Sequence, residues 1–253
     1  MVAYTVIIPA RFGASRLPGK PMLDLAGKPV IQHVIERALE SGAARVVVAT
    51  DDKRIEQVAI EGGAMAVMTR EDHQSGTDRI AEAAQRLALP DDEIIINVQG
   101  DEPDMPPELI QQMATALAQQ KAVSMCTACT PITDKHTLND PNVVKVVRDT
   151  NDCALYFSRA PIAFDRDGLG TFAYRRHLGI YAYRAKYVIE FSNTPACILE
   201  QTEKLEQLRA LYRGDRLYCP DAIAAPGIGI DTEDDIKRAR ATWTTKDLNN
   251  ENT

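Results

Sequence analysis

The chain has 253 residues, 45% of them apolar and 26% charged, which is enough for a sizeable core and ordinary for a globular protein. Its net charge of −7 argues against general nucleic-acid binding and leaves small ligands as partners. No run of about 18 apolar residues offers a transmembrane helix, and the opening MVAYTVIIPARF lacks the basic region of a signal peptide.

In chain order, strand-like and helix-like segments alternate. Residues 4–10 (YTVIIPA) read as a buried strand, and 28–42 carry apolar residues at helical spacing up to Gly42. Residues 44–50 (ARVVVAT) are a second strand and 52–63 a helix ending in a glycine pair. Residues 65–69 and 77–89 repeat the pattern, with Thr77 or Asp78 opening the helix. The last pair is the strand 93–101 (EIIINVQGD) and the helix 106–120, with proline at its start. This order predicts an α/β fold with a mostly parallel sheet and helices on both faces, and ligands bound beyond the carboxyl ends of the strands. After about residue 120 the alternation stops. Residues 123–132, 143–149, 154–162 and 176–185 look like antiparallel strands, 198–214 like one amphipathic helix and 231–243 like the last. The expected organisation is a single domain, 1–243, with an inserted smaller antiparallel region at about 125–215 and a polar tail, 244–253.

The five cysteines are odd in number and scattered, as in a protein kept reduced. The one CxxC, Cys126 to Cys129, lies in a strand-like segment without a second cysteine pair and reads as structural. Three short stretches carry chemistry. The loop after the first strand, IIPARFGASRLPGKP, holds Arg11, Arg16 and Lys20 and no acid. It matches neither GxxxxGK[ST] nor GxGxxG, yet a strand, a cationic glycine-containing loop and a helix suit a phosphate group, and three cations could neutralise most of a triphosphate. In NVQGDEP, Asp101 follows a buried strand on the same rim, where a carboxylate can hold Mg²⁺ or simply close a turn. In GIDTEDDI, Asp231 reads either as part of a helix cap or as a second metal carboxylate.

Together IIPAR-x4-RLPGKP, VATDD, HQSGTDR, NVQGDEP, ALYFSRAPI, RHLGIYAYR, EKLEQLRAL and GIDTEDDI resemble the 3-deoxy-D-manno-octulosonate (Kdo) cytidylyltransferases from about residue 4 to 240. The resemblance implies a cytoplasmic homodimer that couples CTP to Kdo with Mg²⁺, releasing pyrophosphate and supplying lipopolysaccharide synthesis. It further implies that Arg11, Arg16 and Lys20 hold the triphosphate and that Asp101 and Asp231 hold the metal. By the same resemblance Gln74, Ser75 and Arg79 line the cytidine pocket, and Gln99, Arg166, His177, Tyr181, Glu206 and Gln207 meet the sugar. On the residues alone His177 also reads as a hydrogen-bonded edge residue, Glu206 as a surface ion-pair member, and His73 as either loop structure or pocket wall. The segment between Arg166 and His177 is shorter than in many members of that family. An 8-amino form of the sugar, another sugar acid or sugar 1-phosphate, and a non-catalytic nucleotide binder are the alternatives.

Overall fold

A computed structural model describes residues 2–13 and 17–250, with side chains as far as Trp243. The chain opens with β1 (Thr5–Ala10), a short hairpin of β2 (Asp24–Leu25) and β3 (Lys28–Pro29), and α1 (Val30–Glu40). It continues with β4 (Arg45–Thr50), α2 (Lys53–Glu61), β5 (Met65–Met68), α3 (Gly76–Arg86), β6 (Ile94–Asn97) and α4 (Pro107–Gln119). Then come β7 (Met125–Pro131), α5 (Lys135–Asn139), β8 (Lys145–Arg148), β9 (Ala154–Ser158), β10 (Arg175–Arg184) and α6 (Ala185–Ser192). The chain closes with α7 (Ile198–Glu203), α8 (Leu208–Tyr212), β11 (Leu217–Tyr218) and α9 (Glu233–Asn250).

The main sheet has the order β11-β7-β10-β6-β1-β4-β5, with β8 and β9 attached beside β10. Strands β6, β1, β4 and β5 run parallel, while β10 is antiparallel to both β6 and β7. Alternation along the strands divides the core. Val6, Ile8, Val48 and Ile96 face α1, α2 and α4, whereas Ile7, Val47 and Ile95 face α3 and α6. Both faces are covered, which is why these strands read as continuous apolar runs. The chain moves outward from β1 to β4 and β5, then returns to place β6 on the other side of β1. The carboxyl ends of β1 and β6 therefore flank the switch point, the crevice where such sheets bind ligands.

The segment 198–214, expected as one helix, is broken. Lys204 adopts a left-handed conformation (φ 55°) after α7, and α8 starts only at Leu208. The break lets the Glu203 carboxylate accept from Ser158 Oγ (2.7 Å) and the Arg159 amide (2.9 Å), while Arg209 bridges back to Glu200 (2.5 Å). Two further expectations need correction, and one helix carried no expectation. Residues 185–192 form that helix, α6, which packs on α3 and supplies Val188 and Phe191 to the second core cluster. Helix α9 continues to Asn250 through most of the segment expected to be a polar tail. Lys28 and Pro29, expected to begin the first helix, instead pair with Asp24 and Leu25 in the hairpin. Among the described residues no helix is long and apolar enough to cross a membrane.

Candidate active site

The loop after β1 is pinched shut at its base. The Gly19 amide donates to the Phe12 carbonyl (2.9 Å), and Gly19 takes the left-handed conformation (φ 71°) that turns the chain into Lys20. The Arg54 guanidinium lies 3.6 Å over the Phe12 ring and anchors the loop to α2. On the other side of the crevice Gly100 passes very close to β1: a β-carbon there would stand 2.9 Å from the Pro9 carbonyl oxygen. Glycine at this position lets the turn after β6 lie against β1, and the turn delivers Asp101.

Asp231 arrives from the far end of the chain. Thr232 and Asp235 form the cap of α9: the Thr232 amide donates to the Asp235 carboxylate (2.8 Å), and the Asp235 amide donates to Thr232 Oγ1 (3.2 Å). The cap therefore does not need the Asp231 side chain. The Ile230 amide donates to the Asp101 carbonyl (2.8 Å), and Ile230 packs with Leu17, Leu25 and Ile236 in a small third core. These contacts hold the two acids together although they lie far apart in sequence. Lys20 Nζ donates to Asp101 Oδ2 (2.5 Å) and to Asp231 Oδ1 (3.1 Å). Burial pulls the Lys20 ammonium down, but the Asp101 and Asp231 carboxylates outweigh it and hold it above its ordinary range.

A cavity of about 270 Å³ opens here, lined by Arg11, Leu17, Lys20, Asp101 and Asp231 on one side and by His73, Gln74, Ser75, Gly76, Arg79 and Gln99 on the other. It thus gathers eight of the expected residues: Arg11, Lys20, Gln74, Ser75, Arg79, Gln99, Asp101 and Asp231. Arg16 lies outside the described residues. Arg79 is buried and already engaged, donating to Asp51 (2.6 Å) and to Thr69, so it braces the wall between β4, β5 and α3 as well as facing the cavity. Ser75 and Asp78 form a reciprocal cap at the start of α3.

Of the expected sugar residues only Gln99 is in the cavity lining; Arg166, His177, Tyr181, Glu206 and Gln207 are not. The Glu206 carboxyl lies near the Thr77 and Ser75 hydroxyls, which lower it, but burial outweighs them and raises it above its ordinary range. Tyr181 pairs with Asn97 across the β10–β6 ladder, and its ring lies 5.6 Å from that of His177. Thr127 Oγ1 lies within bonding distance of the Leu178 and Ile180 carbonyls, and of His177 Nε2 at 2.8 Å. Its single hydrogen goes to a carbonyl, so His177 Nε2 carries a proton and donates. This pins the bulge between Leu178 and Tyr181. Burial, assisted by Arg176, brings the His177 ring down to about 3 and keeps it neutral. Gln207 is buried, and its Nε2 has no hydrogen-bond partner among the described residues. Arg166 is exposed in the 159–174 loop, and no hydrogen bond or ion pair among the described residues joins it to the other four.

Glu102 escaped the sequence reading although it directly follows Asp101. Its Oε2 is buried without a partner among the described residues, and burial beside Asp101 raises its carboxyl to about 8. The proximity to Asp101 in GDEP was the available signal; the burial was not visible. Among the described residues two buried polar atoms lack partners, one on Glu102 and one on Gln207, and a polar ligand would satisfy them.

Comparison with known proteins bears on this arrangement. The cytidylyltransferase family pattern matches residues 5–217. A 3-deoxy-manno-octulosonate cytidylyltransferase from Idiomarina loihiensis is 51% identical over 247 residues, covering 94% of this chain and 98% of that protein. The protein of that name from Hahella chejuensis is 53% identical over 250 residues, covering 95% and 98%. The chain belongs to the cytidylyltransferase family. A solved CMP:2-keto-3-deoxy-manno-octonic acid synthetase, complexed with CTP, superposes with a TM-score of 0.90 at 43% identity, covering 96% of this chain and 99% of that one. A cytidylyltransferase from Leptospira borgpetersenii, 16% identical with a TM-score of 0.63, shares the fold. The cytidylyltransferase is thus a nucleotidyltransferase, with its charged crevice at the switch point of the sheet.

Proposed function

We propose that the chain couples CTP to Kdo, giving CMP-Kdo and pyrophosphate. The observation that carries this reading is the Lys20 ammonium held between the Asp101 and Asp231 carboxylates at the mouth of the switch-point cavity. The names of the relatives at 51% and 53% identity support the choice of sugar. The anomeric 2-hydroxyl oxygen of Kdo forms a bond to the α-phosphorus as the bond from that phosphorus to the bridging oxygen breaks; pyrophosphate leaves and the hydroxyl proton passes to solvent. Such transfers depend on positioning and charge neutralisation. Lys20 and Arg11 face the phosphates, with Arg16 in the same loop. Gln74, Ser75 and Arg79 flank the nucleoside, and Gln99 lies next to the sugar.

Mg²⁺ fits the donor set. Two carboxylates already converge on one cation, and among the described residues no group of three or more acids, histidines or cysteines forms a ready-made cage. Mg²⁺ commonly takes one or two protein carboxylates and completes its shell with substrate phosphates and water. Held by Asp101 and Asp231, it would neutralise phosphate oxygens and acidify the attacking hydroxyl. The sugar acid is placed against Tyr181, Glu206 and Gln207, with His177 setting the bulge that presents Tyr181. Arg166 meets the carboxylate only if its exposed loop moves in.

A homodimer is also proposed, supported by exposed apolar side chains in the inserted region: Leu155, Phe164, Leu169 and Phe172. A cytoplasmic setting suits five unpaired, buried cysteines, and the product would supply lipopolysaccharide synthesis. The deciding experiment is pyrophosphate release with Mg²⁺, CTP and Kdo, run beside UTP, ATP and GTP and beside sialic acid and 8-amino Kdo. Release that requires both CTP and Kdo supports the reading. Release with another acid moves the specificity, and none with any pair leaves a nucleotide-binding protein.

A further inference from the structure

The cavity has two unlike ends. Arg11, Lys20, Asp101 and Asp231 make one end charged, and a triphosphate belongs there. The other end, at His73, Gln74, Ser75, Gly76 and Arg79, has one cation, already paired with Asp51, and is left for the uncharged nucleoside. His73 is the one ring in that wall among the described residues, and its side chain is only 6% exposed. Its Nε2 is bonded to the Glu82 carboxylate. Glu82 also accepts from the Arg70 amide (3.1 Å) and from Arg86 (2.8 Å), so one carboxylate from α3 ties down both ends of segment 70–73. Burial alone would raise the Glu82 carboxyl, but bonds from His73, the Arg70 amide and Arg86 outweigh it and bring it down to about 2. An ionised carboxylate only accepts, so His73 must donate through Nε2–H. In the neutral ring Nδ1 is then an acceptor, and it has no partner among the described residues.

We propose that His73, held in this tautomer by Glu82, accepts a hydrogen bond from the 4-amino group of cytosine and so separates CTP from UTP. Uracil presents an oxygen at the same place, and two acceptors cannot bond. His73 is thus a specificity residue and Glu82 its positioning residue. The inference rests on the nucleotide reading above but not on the identity of the sugar.

The test is the dissociation constant by calorimetry, with Mg²⁺ and without any sugar acid, for three nucleotides: CTP, UTP, and the 2-pyrimidinone ribonucleoside triphosphate, which lacks the 4-amino group. The wild type should prefer CTP to both. In His73→Phe that preference should fall by about ten- to a hundredfold, the worth of one hydrogen bond whose loss leaves a buried group unpaired. Glu82→Gln, which keeps the ring but frees its tautomer, should lower the preference by less. A merely structural role would weaken all three nucleotides equally, because it does not sense the amino group. Unchanged ratios in His73→Phe would assign Nδ1 to the second depression that His73 also lines, with Ser192 and Asn193, and overturn the proposal. Pyrophosphate release is measured separately, so a protein that discriminates CTP yet transfers nothing to Kdo would sink the sugar reading and leave this one standing.

Discussion

Lys20 answers two demands. Next to two carboxylates it neutralises a pair of like charges, and beside a triphosphate it neutralises substrate. Its raised pKa keeps it charged through neutral and mildly alkaline pH, so a basic limb in the activity profile should not come from it. Replacing it in Lys20→Met should raise KM for CTP and cut kcat/KM by about 10²–10³-fold, the scale of losing one preorganised electrostatic group; steady-state kinetics reads this. Asp101→Asn and Asp231→Asn should each abolish measurable pyrophosphate release while leaving the melting transition in place. Near-normal turnover in either would remove that residue from the metal site. Arg79 stands differently because its partner Asp51 is largely buried with it. Arg79→Leu strands that carboxylate, and denaturant unfolding should show a loss of about 3–5 kcal/mol.

At the scale of elements, the site depends on how closely β6 can approach β1. A Gly100→Ala side chain would meet the Pro9 carbonyl, a backbone atom that cannot rotate away. The turn carrying Asp101 must then shift. We expect a stability loss of about 1–3 kcal/mol together with a fall in kcat, whereas a stable variant of normal kcat would show that the turn tolerates displacement. Much of this level was legible. The apolar runs 5–10, 45–50, 65–68 and 94–97 are strands because both faces of the sheet are covered, and the helices between them follow from spacing and caps. The regions misread or missed have physical reasons. Residues 198–214 keep leucines at helical spacing on both sides of Lys204, so periodicity could not reveal a break made by the contacts of Glu203 and Arg209. The apolar residues of α6 follow directly on β10, with no cap residue to mark the change.

For the whole molecule, buried His177 links stability to pH. Its folded pKa, about 3, lies below the unfolded value of about 6.5, so as pH falls below 6.5 the unfolded chain takes a proton that the folded one refuses. Stability should fall by about 2 kcal/mol between pH 6.5 and 5 from this group. His177→Gln, though less stable at neutral pH, should show a shallower slope of melting temperature over that range; an equal slope would place the titration elsewhere. The sequence by itself determined the parallel α/β framework, because apolar runs and helical spacing are local signals. It also marked the cationic loop, because charge and glycine are written in consecutive residues, and Asp101 and Asp231 as candidates, through the resemblance of their motifs. Only the tertiary structure decided that β6 lies beside β1, that Asp231 reaches Lys20 from over 200 residues away in the chain, and that Glu102 and Gln207 carry buried atoms unpartnered among the described residues. Strand order, long-range approach and desolvation are properties of packing, and no stretch of sequence contains them.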